Sequence, residues 1–140
     1  MITQIKINSE VQKAYNELAH GEHKYIIFSL NNDLTEIVLK KAASPYASHD
    51  EFLDDIEAEG ICYAIYKCVF PSKSYGFDIT KDVFITYVSP RADRRKKMVI
   101  AGAAISTKSA FNGVSISMQG ANDEQLSLKN IQEKCAYYSS

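Results

Sequence analysis

A chain of 140 residues with 46% apolar side chains has the length of one domain, residues 1–140, and enough apolar mass for a real core. Its formal net charge of −1 argues against bulk electrostatic binding of nucleic acid, which calls for a strongly basic domain. No apolar run approaches the ~20 residues of a membrane span, so no integral membrane contact is expected, and Met1-Ile2-Thr3-Gln4 lacks the basic start and apolar run of a secretory leader.

In chain order, Ile2, Ile5 and Ile7 alternate, so residues 1–8 read as extended. Ser9 suits the N-cap of a helix from Glu10 to His20, with Gln12 placed for a capping box. Val11, Ala14, Tyr15 and Leu18 form its buried stripe, and Gly21 stands where it should stop. KYIIFSL (24–30) and TEIVLKKA (35–42) read as an antiparallel hairpin around Asn31-Asn32-Asp33. After the Ser44-Pro45 break, Ser48 or His49 opens a short helix to Ile56, with Phe52, Leu53 and Ile56 inward and the carboxylates outward. ICYAIYKCVF (61–70) has almost no polar interruption, which predicts a central strand. Residues 71–81 read as a polar connection, and VFITYV (83–88) as a second core strand. Ser89-Pro90 stops it, and a long helix begins at Arg94. VSISMQ (114–119) alternates like a half-buried strand; residues 126–138 close the chain as a helix with Leu128, Ile131 and Cys135 on one side. The order β, α, β, β, α, β, β, α, β, α predicts an α/β fold: a central mixed sheet of five to six strands sandwiched between helices.

No reactive constellation stands out. His20-Gly21-Glu22-His23 lies at a helix stop without the helical spacing of zinc ligands, and reads as a solvated loop; no metal or cofactor site is expected. Cys62, Cys68 and Cys135 are odd in number and lack zinc or redox spacing. Cys62 and Cys68 fall on one face of an apolar strand and read as inert thiols of a reduced, cytoplasmic protein. Charge is spread unevenly: His49 to Glu59 carries six carboxylates and no Lys or Arg, whereas Arg91 to Lys97 carries five cations against Asp93 alone. Such a charge dipole steers a docking partner without a large net charge. A helix that starts Arg94-Arg95-Lys96-Lys97 works against its own dipole. Met98, Ala101, Gly102 and Ile105 then give a smooth stripe of mostly small residues, with Lys108 about three turns beyond Lys97. Ser106, Thr107 and Ser109 are placed to bond back to helix carbonyls. A solvated charged face and a docking edge both account for the run; the opposition to the dipole and the smooth stripe favour the docking edge.

Several separated stretches, in order, resemble the actin-depolymerising factor/cofilin family. They are AYNEL (14–18), KYIIFSLN followed by TEIVL, ASHDEFLDDI (47–56), CYAIYKCVF (62–70) and SPRADRRKKMVIAG (89–102). The last carries most of the likeness, with one residue fewer before Met98 than the family pattern. The resemblance covers nearly the full length. It implies the ADF-homology (gelsolin-like) fold and a non-enzymatic protein of the cytoplasmic actin cytoskeleton, monomeric, that binds actin monomers in the ADP form and promotes filament depolymerisation. The implied monomer-binding surface is Thr3, Gln4, Ile5, Arg94, Arg95, Lys97, Met98, Ile105 and Lys108, with Arg95 and Lys97 as contacts for phosphoinositides. The implied filament surface is Lys81, Glu133 and Lys134, with Lys73 near. The chain departs from the family where Thr3 stands for the regulatory serine, leaving Thr3 as the candidate phosphorylation site, and Gln4 for the glycine after it. Ala101 to Ser106 lacks a lysine and an aspartate of the family's contact run. Tyr137 stands for a cation, and Thr80 and Asp82 for a basic pair. These departures imply weaker filament binding and severing. A coactosin-like or glia-maturation-factor-like protein, acting on filament sides or on the branching complex, is the alternative within the fold; a small enzyme is the alternative outside it.

Overall fold

The computed structural model describes residues 5–139. Among them, in order, are β1 (Lys6–Ile7), α1 (Ser9–Ala19), β2 (Tyr25–Leu30), β3 (Glu36–Ala42), α2 (His49–Glu59), β4 (Ile61–Pro71), β5 (Asp78–Val88), α3 (Arg94–Ser109), β6 (Ile116–Gly120) and α4 (Leu128–Ser139). The strands form one mixed, six-stranded sheet ordered β1-β3-β2-β4-β5-β6. The middle pairs are antiparallel; the outer pairs, β1 with β3 and β5 with β6, are parallel. The β5–α3–β6 passage is a crossover, since a parallel neighbour cannot be reached by a tight turn.

Strand alternation divides the core into two layers. Cys62, Ala64, Tyr66 and Cys68 of β4 meet Phe52 and Ile56 of α2 and Ile131 and Cys135 of α4. Ile61, Tyr63 and Ile65 face the other way, onto Val11, Ala14 and Leu18 of α1 and Ile100 of α3. Helices on both faces explain why Ile61 to Tyr66 tolerates no polar residue, and each large side chain so buried contributes about 1.5–3 kcal/mol.

The boundaries differ from the sequence reading for local reasons. Asn8, not Ser9, caps α1: its Oδ1 accepts the Glu10 N–H at 2.9 Å while its own N–H donates to the Ile37 carbonyl at 2.8 Å. One residue thus ends β1 and opens α1. Gln12 turns to Asn16 and makes no capping box. Ser48 caps α2 as expected, accepting from the Glu51 N–H, but the helix runs on to Glu59 and stops at Gly60, whose φ of 79° favours glycine. Leu126 is core and precedes α4; Leu128, expected inward, is 38% exposed. Ser127 accepts the Asn130 N–H at 3.2 Å and so sets the helix start at Leu128, two residues later than expected.

The largest difference is at residues 71–81. β4 and β5 stay paired out to Pro71 and Asp78, so the polar connection shrinks to residues 72–77. β2 meets β4 only up to Tyr66, and β6 meets β5 only from Val83. Beyond those residues the hairpin is a two-stranded arm without a flanking strand. Thr80 and Lys81, on its two faces, are both exposed, which is why the sequence there lacks a strand's apolar signature. Among the described residues no helix is long and apolar enough to cross a membrane.

Candidate functional site

α3 is seated from beneath and open above. Ile100, Ala103 and Thr107 are buried against the sheet. The Tyr63 hydroxyl donates to the Ile100 carbonyl from β4, and the Tyr15 hydroxyl donates from α1 to the Asn112 carbonyl just past the helix. Burial pushes the Tyr63 phenol up to about 12, so it remains a neutral donor at any ordinary pH. Ser106 and Ser109 bond back to the carbonyls of Ala103 and Ile105, as their types predict.

On the opposite side, Arg94, Arg95, Met98, Ala101, Gly102, Ile105 and Ser109 are exposed. Steps of three and four place them in one stripe, about 24 Å long for the 16 residues of the helix. Met98 is 70% and Ile105 84% exposed, a large apolar investment in water. No heavy atom lies within 4 Å of where a Gly102 side chain would stand, so neighbouring atoms do not require glycine there.

The cationic start is not uniform. Asp93 caps α3, its carboxylate accepting the Lys96 N–H at 3.1 Å, and this anion offsets part of the opposition to the dipole. Lys97 is half-buried and its ammonium donates to the Pro90 carbonyl at 2.8 Å, closing the loop before the helix. Arg94 and Arg95 are the exposed cations of the first turn, and Arg91 is exposed in the loop before it.

Ile5 is half-buried on the α1/α3 layer. A shallow hollow lined by Ile5, Lys6 and Ile7 together with Ser106, Thr107 and Ala110 joins the N-terminal strand to the last turns of α3. Ile5 therefore stands at one end of the stripe and Arg94, Arg95 and Met98 at the other. Thr3 and Gln4 lie outside the described residues.

The second predicted group is less coherent. Lys81 lies on the arm, on the face of β5 that carries Val83 and Ile85 toward α4. Glu133 lines a cleft of about 450 Å³ between the arm and α4, with Phe70, Pro71, Ile79 and Tyr137. Lys134 lines a different depression, on the β6 edge, together with Lys108 and Ile105. Its ammonium sits 5.4 Å above the centre of the Tyr138 ring. The Glu133–Lys134 pair is thus divided, and Lys108 and Lys134 are brought together instead. Apart from Tyr137, noted as standing for a cation, the exposed aromatics of this side were not singled out from sequence: Tyr75 and Phe77, stacked 5.6 Å apart at the arm's tip, and Tyr138 beside Tyr137 on α4. The usable signal was an aromatic pair around Gly76 inside an otherwise polar stretch.

The histidines are structural links. His23, expected in a solvated loop, is half-buried, with Nδ1 2.9 Å from the Ala43 carbonyl and Nε2 2.9 Å from Glu17. Among the described residues no group of His, Cys, Asp and Glu could hold a metal ion.

A family profile described as Cofilin/tropomyosin-type actin-binding protein matches residues 4–136. The cofilin of Saccharomyces cerevisiae is 32% identical over 131 residues, covering 93% of this chain and 91% of that protein. Actophorin of Entamoeba histolytica is 29% identical over 132 residues, covering 93% and 94%. Among solved structures, the crystal structure of Streptomyces griseoflavus cofilin superposes with a TM-score of 0.84 at 25% identity, covering 96% of this chain and 98% of that one. With the six-stranded sheet, the layered helices and the matched length in agreement, the chain belongs to the cofilin/ADF family of actin-binding proteins, a family of binding proteins rather than enzymes.

Proposed function

We propose that this protein, acting as one domain over residues 1–140, binds actin monomers through the open stripe of α3 and the N-terminal segment beside it, and promotes filament depolymerisation. The observation that carries this reading is the exposure of Met98 and Ile105 on a helix whose other face is fully seated. A monomer that pairs an apolar cleft with acidic groups would cover both and receive Arg94 and Arg95 at the helix start. Ile5 and Lys108 flank the stripe, and Thr3 and Gln4 belong to the same proposed actin-binding set. Thr3 is the residue at which phosphorylation would add charge to that set.

The filament surface is the weaker one. Lys81, Glu133 and Lys134 belong to it, and their separation across a cleft and a sheet edge supports weak filament binding. Preference for ADP-actin, action as a monomer, residence in the cytoplasmic actin cytoskeleton and competition by phosphoinositides belong to the same reading. Arg95 is the main headgroup contact, because the Lys97 ammonium already has a carbonyl partner.

Monomer binding and filament pelleting, measured side by side, test the proposal. Met98→Glu places a carboxylate in the middle of the stripe, and at least a tenfold loss of monomer affinity with unchanged thermal stability is expected. Full monomer affinity in that variant would remove α3 from the site. Pelleting without any monomer binding would favour action on filament sides instead.

A further inference from the structure

The last turns of α3 open sideways onto a hollow of about 440 Å³ at the β6 edge of the sheet. Its wall is Ala104, Ile105 and Lys108 of α3. Its floor comes from β5 and β6, where Phe84 lies beside Ser117 and Thr86 beside Gln119 on the face turned to α3. β6 has β5 on one side and, among the described residues, no strand on the other. Around that open edge Lys134 of α4 reaches the same hollow from the opposite layer.

The polar groups here lack partners. Thr86 is 6% exposed, and among the described residues its hydroxyl makes no hydrogen bond. The other buried polar side chains differ: Ser29 donates to the Ile61 carbonyl, and Thr107 is bonded to the Tyr63 hydroxyl. An unpaired buried hydroxyl is costly, so Thr86 marks a place where something else completes the bond. The two ammoniums are likewise uncompensated. No Asp or Glu lines the hollow, and among the described residues neither Lys108 nor Lys134 is in an ion pair. The ring face of Tyr138 next to Lys134 is neutral and carries no oxygen acceptor. Ser117 and Gln119, both exposed, add further donors at the floor. Two cations, two hydroxyls and an amide around one space, with no anion among them, suit a carboxylate.

Ile105, 84% exposed, belongs both to the stripe and to the wall of the hollow. A body that covers the stripe therefore covers the hollow as well. We propose that the actin monomer seated on α3 sets a carboxylate side chain into this hollow, between Lys108 and Lys134, with Thr86 bonding to it at the floor. The proposal rests on the reading of α3 as the monomer site and extends that site across the β6 edge. Lys134, besides its place in the filament surface, becomes a monomer contact.

Labelled actin monomer is titrated with the full chain and with Lys108→Gln, Lys134→Gln, their double variant, Thr86→Val and Met98→Glu, each also unfolded in urea. Lys134→Gln should weaken monomer binding about fivefold or more at low salt and less at high salt. The double variant should lose less than the product of the two single losses, because both lysines serve one carboxylate. Thr86→Val keeps the shape and removes the unpaired hydroxyl. It should weaken binding about threefold while the urea midpoint holds or rises, a split that a merely structural threonine would not give. Full monomer affinity in Lys134→Gln, or lysine losses that simply multiply, would overturn the proposal; unchanged binding in Thr86→Val would overturn the floor contact. If Met98→Glu loses affinity and Lys134→Gln does not, α3 stands as the monomer site and only this extension falls. If Met98→Glu keeps full affinity, both fall.

Discussion

The two helical layers of the sheet are built by opposite rules. On the α1/α3 side, the working element is a helix anchored by buried side chains and by tyrosine hydroxyls on its Ile100 carbonyl and on the Asn112 carbonyl just past its end, so its outer face is free to carry large apolar groups and cations. On the α2/α4 side, the exposed groups are scattered over an arm, a cleft and a sheet edge, and several have a local partner. Lys134 lies over Tyr138, and Tyr75 is stacked on Phe77. A rigid stripe with unspent groups is suited to bury a partner with little loss of entropy. Scattered groups already engaged with neighbours return less when a partner arrives.

The sharpest way to break that contrast is to change the two isoleucines of α3 separately. Ile100 is fully buried and Ile105 is 84% exposed. Ile100→Ala should cost about 2–5 kcal/mol of stability in urea unfolding. Ile105→Ala should cost within about 0.5 kcal/mol of nothing, yet weaken monomer binding. Similar stability losses in both variants would mean that the stripe belongs to the core and not to a partner.

The cations come next. Arg95→Ala should weaken monomer binding by about 1–3 kcal/mol, as loss of a charge-assisted contact does. Lys97→Ala should do less to binding and more to folding, about 0.5–1.5 kcal/mol, because its ammonium closes the Pro90 turn. Titration of labelled monomer alongside unfolding curves separates the two, and a larger binding loss for Lys97 would reverse the assignment.

On the other side of the sheet, Lys81→Ala and Lys134→Ala should each change filament pelleting by only about 0.2–1 kcal/mol, as exposed charges do. Lys81 lies on the arm and Lys134 lines the depression at the β6 edge, so their effects should add. A double variant far worse than the sum would show one coherent filament site where the structure has two separate places.

How much of this was legible beforehand follows the same division. Burial writes itself into sequence, so the β4 run, the two-layer sheet and the buried face of α1 could be read from Ile61 to Phe70 and from Val11 to Leu18. The α3 stripe could be read because small and charged residues there break the amphipathic pattern of an ordinary surface helix. The β5 half of the arm could not, since residues 78–82 pair with β4 yet are mostly exposed and carry no apolar period. Nor could the divided Glu133 and Lys134, which depends on how the arm, α4 and β6 meet, or the Lys97 contact, which depends on how residues 90–97 turn into the helix.

The smallest expected effect is also the most specific. His49, at the start of α2, has Nδ1 2.9 Å from the Tyr66 hydroxyl and Nε2 2.9 Å from the Leu126 carbonyl. A carbonyl only accepts, so Nε2 carries the proton and Nδ1 accepts from Tyr66; both nitrogens are satisfied in the neutral ring. Burial pushes His49 below its ordinary 6.5, and Lys24 adds to that, while the Leu126 carbonyl, Asp50 and Asp123 pull the other way. With the folded value below the unfolded one, the unfolded chain binds its proton first as pH falls. The stabilising contribution is therefore complete above about 6.5 and is lost as pH drops through that value toward the folded one. Urea midpoints at pH 7.5, 6.5 and 5.5 should fall in the native protein and fall less in His49→Gln. Parallel declines in the two proteins would show that the ring is not the group that titrates.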